Sequence, residues 1–267
     1  MDTFYGVNPD SNDDCNTPNS YGLHYLDRVT GDLNGGKVIT TVGDVTYTVH
    51  AGHAITVDPT TGFYYAVLQR SCNSKDRTLA RIDVSNGEAV HIADFPCDVI
   101  IETLAFDIAG QLYGVTDENC DNTNPESLYK INKLDGSVAL VKELGNGDDG
   151  EVIAYNPLDN RLYHWSGDCD FVFESINLNT PSLTVTTITT SKTKSGEITG
   201  AVWDPIRNNF LVAIRDCGKT KILVWNTSGV IEDVLDCNCP KSRGFALFMF
   251  DVLTNNKYWK IVLQGFH

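Results

Sequence analysis

The sequence predicts an all-β chain, a five-bladed β-propeller with four antiparallel strands per blade. Three observations carry this. First, one phrase recurs: ITVDPTTGFYYAVLQRSC (55–72), TLAFDIAGQLYGVTDENC (103–120), IAYNPLDNRLYHWSGDC (153–169) and AVWDPIRNNFLVAIRDC (201–217). Each is an apolar run, an Asp or Asn, a short turn, a second apolar run and a polar loop ending in cysteine. A fifth copy, LFMFDVLTNNKYWKIVL (247–263), lacks the cysteine. Second, the anchors Asp58, Asp107, Asn156, Asp204 and Asp251 are spaced by 49, 49, 48 and 47 residues. Third, no stretch shows a capped helical period, whereas runs rich in Val, Ile, Leu, Thr, Tyr and Phe alternate with turn residues.

In each copy the runs before and after the anchor are strands A and B. Two more runs follow each cysteine and read as C and D: 78–84 and 89–93, 128–132 and 138–144, 172–178 and 183–188, 221–225 and 230–235. The turns between them contain Asn86-Gly87, Asp135-Gly136, Asn179-Thr180-Pro181 and Ser228-Gly229. Glycine there accepts positive φ without a Cβ clash, which suits tight hairpins. One such sheet cannot bury both of its faces. Stacking blades around an axis does so.

The chain begins inside a repeat. Phe4–Val7 reads as B, Tyr21–Leu26 as C and Lys37–Val42 as D, with no A before them. Near the other end, Phe245–Phe250 reads as an A strand without C and D. Joining the two closes the ring, so residues 1–267 form one domain with a surplus strand over about 257–267. That surplus, Tyr258–Leu263, has three possible places: outside the ring of its own chain, in the slot of Phe4–Val7, or on a neighbouring molecule.

The net charge of −15 argues against nucleic acid and against anionic lipid as partners. No apolar run reaches the length of a membrane span. No signal peptide is visible in MDTFYGV, and the expectation is that a leader has been removed. The eight cysteines lie in or beside polar loops, none in a CxxC pair, which points to disulfides and a secreted protein. Asn226-Thr227-Ser228 is a glycosylation sequon.

In propeller topology the B–C and D–A loops share one face, the top. Cys15, Cys72, Cys120, Cys169 and Cys217 fall in B–C loops, and Cys97, Cys237 and Cys239 in D–A connections. The pairing favoured is Cys72–Cys97, Cys217–Cys237, Cys15–Cys239 and Cys120–Cys169, although eight cysteines allow many others. A cross-linked top face reads equally as loop stapling and as a preorganised binding surface. Trp165, Asp117, Asp168, Arg70 and Arg215 are its candidate contacts, although Trp165 reads more readily as core packing than as a sugar-stacking surface.

Five residues before the anchors stand His53, Glu102, Glu151, Thr199 and Ala246. His53, Glu102 and Glu151 would converge at the channel mouth as a cation site, Ca²⁺ being favoured by oxygen and a transition metal by histidine. The recurring tyrosines Tyr5, Tyr64, Tyr113, Tyr163 and Tyr258, with Leu211 in the fourth repeat, read as packing between blades. The anchors read as turn caps, because short Asp and Asn side chains bond turn amides. No nucleophile elbow, catalytic triad or phosphate loop is present.

The form apolar run–Asp–turn–LYGVTD–loop–LYKINKLDG resembles the broad class of secreted β-propeller repeat proteins. Five blades are also similar to tachylectin-2-like lectins and five-bladed glycosidases. The lectin sugar-binding motif, a placed glycosidase carboxylate set, and the WD, kelch and Asp-box signatures are all missing. The expected function is an extracellular, non-enzymatic binding or adhesion module for a protein or glycan. The alternatives are a metal-dependent hydrolase or lyase at the channel mouth, and a structural subunit that self-associates through the C-terminal strand.

Overall fold

The fold is that of a computed structural model, which describes residues 3–7, 22–27, 33–70, 76–116, 125–144, 152–166, 171–179, 183–191, 196–216, 219–239 and 243–247. Among the described residues, twenty-one strands follow in order. The first four are β1 (Thr3–Val7), β2 (Gly22–Asp27), β3 (Leu33–Val38) and β4 (Thr40–Val42). Next come β5 (Ala51–Val57), β6 (Tyr64–Gln69), β7 (Thr78–Asp83) and β8 (Glu88–Asp94), then β9 (Ile101–Phe106), β10 (Leu112–Thr116), β11 (Ser127–Ile131) and β12 (Val138–Glu143). The chain continues with β13 (Val152–Asn156), β14 (Arg161–Ser166), β15 (Phe171–Asn177) and β16 (Thr184–Ser191). It ends with β17 (Glu197–Asp204), β18 (Asn209–Asp216), β19 (Lys219–Trp225), β20 (Ile231–Cys239) and β21 (Arg243–Leu247).

Three sheets are up-and-down runs of four strands: β9 to β12, β13 to β16 and β17 to β20. A fourth has the order β21-β1-β2-β3, so a late strand A completes an early B–C–D set, as the sequence predicts. The remaining sheet departs from four antiparallel strands. It has the order β4-β8-β7-β6-β5, with β4 parallel to β8. The predicted D strand over 37–42 is thus divided between β3 and β4, which belong to different sheets. The cause is a close approach: Thr40 N donates to Gly87 O at 3.1 Å, and Gly87 has φ +85°. A Cβ on Gly87 would lie 2.6 Å from Val38 O, so only glycine lets the segment cross here. The added strand covers an otherwise open sheet edge.

The first strands pack in a circuit: β5 beside β9, β9 beside β13, β13 beside β17, β17 beside β21, and β21 beside β5. Alternation along each strand sends its two apolar faces into separate inter-sheet cores. Leu68, Ala66 and Tyr64 pack towards Val7 and Leu23, whereas Val67 and Tyr65 pack towards Ile101, Leu104 and Phe106. Tyr113, Val115 and Leu128 meet Ile153, Leu162 and Ile176 in a third core. The largest aromatic core joins Trp165, Phe171 and Phe173 to Trp203, Phe210 and Trp225.

The anchors cap their turns. Asp58 Oδ1 accepts from Thr60 N at 2.9 Å, Asp107 Oδ1 from Ala109 N and Gln111 N at 3.0 and 2.9 Å, and Asn156 Oδ1 from Leu158 N at 2.9 Å. Asp204 Oδ1 accepts from Ile206 N at 2.9 Å. Asp251 lies outside the described residues. A second series, which the sequence reading did not single out, does the same at the C–D turns. Asp83, Asn132, Asn177 and Asn226 accept through Oδ1 from the amides of Ser85, Leu134, Asn179 and Ser228.

Candidate functional site

Strand A of each blade starts at the top face, and three of these strands carry the same irregularity. The register skips His53 in β5, Glu102 in β9 and Thr199 in β17, so each is the extra residue of a β-bulge. A bulge bends its strand and re-aims a side chain that regular pleating would direct elsewhere. In β21 the skipped residue is Gly244, not Ala246, which corrects the position expected from spacing alone.

The bulges bring His53 and Glu102 together across neighbouring sheets. His53 Nδ1 lies 2.7 Å from Glu102 Oε2, and His53 Nε2 lies 3.0 Å from Gln69 Oε1 at the end of β6. Arg77, just before β7, completes the group: its Nε donates to Glu102 Oε1 at 3.1 Å and its Nη2 also reaches that oxygen. His53, Glu102 and Arg77 are all buried. The guanidinium sets a positive charge against Glu102, and both carboxylate oxygens are engaged. Glu151, the expected third ligand, lies outside the described residues. Among the described residues, no group of three or more His, Cys, Asp and Glu side chains is arranged to hold a metal ion. Thr199 is also buried, and its Oγ1 has no hydrogen-bond partner among the described residues.

Of the top-face candidates, Arg70 and Arg215 hold comparable places at the ends of two B strands. Arg70 Nη1 lies 2.8 Å from Asp94 Oδ2, and Arg215 Nη2 pairs with Glu197 Oε2. The two arginine side chains are 36% and 35% exposed, so each charge is held by its own blade while facing solvent. Asp117 and Asp168 lie outside the described residues. Trp165 takes the core role and not that of a surface contact. It is fully buried, with its ring 4.8 Å from Phe173 and 5.0 Å from Phe210. Alternation in β14 turns Tyr163 and Trp165 into the aromatic core.

The opposite face of β14 carries a group that the sequence reading missed. His164 is fully buried between Glu126, which precedes β11 of the neighbouring sheet, and Glu174 of β15. Its Nε2 meets Glu126 Oε1, and its Nδ1 lies 3.0 Å from Glu174 Oε1. Burial alone would lower the pKa of His164, but the charge and hydrogen bonds of Glu126 and Glu174 outweigh it and push the pKa up to about 10. The imidazolium therefore ties two sheets together. No repeat signals it, because neither carboxylate lies at an anchor-related position.

Cys97 is disulfide-bonded. Cys15, Cys72, Cys120, Cys169 and Cys217 lie outside the described residues. Cys237 and Cys239 lie on β20, and only their backbone is described. Asn226, the sequon residue, caps its turn, and its Nδ2 donates to Glu232 Oε1 at 2.9 Å. Tyr113 and Tyr163 are buried as expected, but in the first full repeat Tyr65 holds their place, opposite Thr56.

No protein-family model and no curated protein matches the chain. Among solved structures it is similar to a chain of the nidogen/laminin complex, with TM-score 0.56 and 9% identity over 92% of this chain and 97% of that one. It is similar to TolB from Acinetobacter baumannii, with TM-score 0.54 and 15% identity over 88% of this chain and 52% of that one. It is also similar to the major Malassezia sympodialis allergen Mala s 1, with TM-score 0.51 and 10% identity over 92% and 74% of the two chains. At these identities the likeness shows the fold alone, and that fold is an all-β propeller.

Proposed function

We propose that this chain is an extracellular, non-enzymatic binding module. Its five sheets act as the five blades of one ring, and it meets a protein partner through its top face. The observation that carries this is the pair of clamped arginines. Arg70 and Arg215 each present a partly exposed guanidinium held by a carboxylate of the same blade. Charges fixed before the encounter lose less entropy on binding and set the orientation of a partner. The disulfide at Cys97, in a D–A connection of the same face, supports a preorganised surface and an oxidising compartment. One of the similar solved structures belongs to a complex of two proteins, nidogen and laminin, which is in keeping with this reading.

His53, Glu102 and Arg77 serve here as the bolt between two blades beneath that face. The Arg77 guanidinium balances the Glu102 carboxylate, which supports a structural role over acid–base chemistry.

The test screens the purified protein against arrays of extracellular proteins and of glycans, beside the double variant Arg70→Glu/Arg215→Glu. The expected result is a protein ligand whose affinity falls at least about tenfold in the variant, on the scale of one lost charged contact. Ligands confined to glycans, or binding indifferent to the double variant, would overturn the reading.

A further inference from the structure

The sheet that closes the ring contains a register conflict. In the four other A–B pairs, the residue two before the anchor faces a fixed position of strand B: Thr56 faces Tyr65, Ala105 faces Tyr113, Ala154 faces Tyr163 and Val202 faces Leu211. In the closing sheet Tyr5 faces Ala246, which puts the anchor's place at residue 248, three residues short of Asp251. Yet Asp251 stands seven residues before Tyr258, the spacing of Asp58 to Tyr65, Asn156 to Tyr163 and Asp204 to Leu211. Residues 247–263 thus encode a complete A–turn–B hairpin in the register of the other repeats. The place of its second strand is taken by β1, which pairs with β21 on one side and β2 on the other.

One slot therefore has two coded strands. Both are suited to it: β1 carries Phe4 and Tyr5, and residues 258–263 read YWKIVL, aromatic and β-branched throughout except for Lys260 and Leu263. An offset of three residues is odd, so the two registers turn opposite faces of strand A towards each neighbouring blade and are mutually exclusive.

We propose that the slot between β21 and β2 is a strand-binding site whose second ligand is the extended segment 258–263 of the same chain. In that arrangement the pairing of strand A slides by three residues, Asp251 caps the turn, and residues 3–7 leave the sheet. The recognition is strand addition, with main-chain hydrogen bonds for affinity and alternate side chains for register. The inference goes beyond the binding role of the top face and does not depend on it.

The test is hydrogen exchange on the full chain. Tyr5→Pro removes a ladder hydrogen bond from a central strand and disfavours β1 in the slot. Amide exchange across 258–263 is then expected to slow at least about tenfold while the protein stays folded and monomeric, on the scale of a newly protected strand. The double variant Tyr5→Pro/Ile261→Pro disables both strands, and its Tm should fall by about 10 °C or more relative to either single variant. Unchanged exchange across 258–263 would overturn the proposal, as would a Tyr5→Pro variant as unstable as the double. Slowed exchange in a dimer would place the strand in a second copy and overturn the same-chain assignment.

Discussion

His53 on β5 and Glu102 on β9 meet at 2.7 Å because each is the extra residue of a bulge at the same place in consecutive repeats. The contact crosses a blade boundary, and Arg77 fixes Glu102 from the other side. Glu102→Gln keeps the shape but leaves the Arg77 guanidinium buried without its countercharge. Removing one partner of a buried pair costs about 3–5 kcal/mol. Urea denaturation of Glu102→Gln should show a loss of that size, and Arg77→Met/Glu102→Gln should recover part of it. A loss below about 1 kcal/mol, the scale of an exposed pair, would refute the bolt.

His164 gives a pH signature. Its folded pKa, about 10, lies above the value of about 6.5 for an exposed histidine. A raised pKa means that the folded state holds the proton more tightly, so the stabilisation is fully present below about pH 6.5 and is lost as pH rises through about 10. Tyr47 and Tyr113, both pushed up to about 12 by burial first, act in the same direction but higher. Denaturation midpoints from pH 6 to 11 should therefore fall less steeply in His164→Gln than in the parent, whose excess slope belongs to the imidazolium.

The two anchors Asp58 and Asp107 should respond unequally to alanine. Asp107→Ala loses its turn hydrogen bonds and the side-chain hydrogen bond with Tyr113, about 1–2 kcal/mol. Asp58 is fully buried and also holds Lys133, from the C–D turn of the next blade, through Oδ2. Asp58→Ala should cost about 3 kcal/mol, since it strands a partly buried lysine. Burial raises the Asp58 pKa, but Lys133 and Thr60 outweigh it, so the net shift is downward. Its stabilisation is present above the ordinary carboxylate range and is lost as pH falls through the lowered value. Thermal melts of both variants at pH 7 and pH 3 check the order and its loss in acid.

Trp165 packs without exposure against Phe173 and Phe210. Trp165→Ala should cost about 3–5 kcal/mol through the cavity it leaves, and Trp165→Phe should leave the affinity of any top-face ligand unchanged. Calorimetry and a binding titration on the two variants separate packing from contact.

The sequence by itself determined the repeat, the strand order within each blade, the capped turns and the joining of β1 to β21. Each follows from local chemistry: Asp and Asn at turn starts, glycine at positive φ, and apolar alternation. It also singled out His53 and Glu102, because bulges recur at a fixed repeat position. The tertiary structure decided what those residues meet. Arg77 and Gln69 reach them, Glu126 reaches His164 from another sheet, and β4 crosses to the edge of β8, because ring closure brings together segments with no shared period. Trp165 shows the same division. Its place in the repeat was legible, but only the packing of two sheets fixed which face of β14 was core and which held the buried charge.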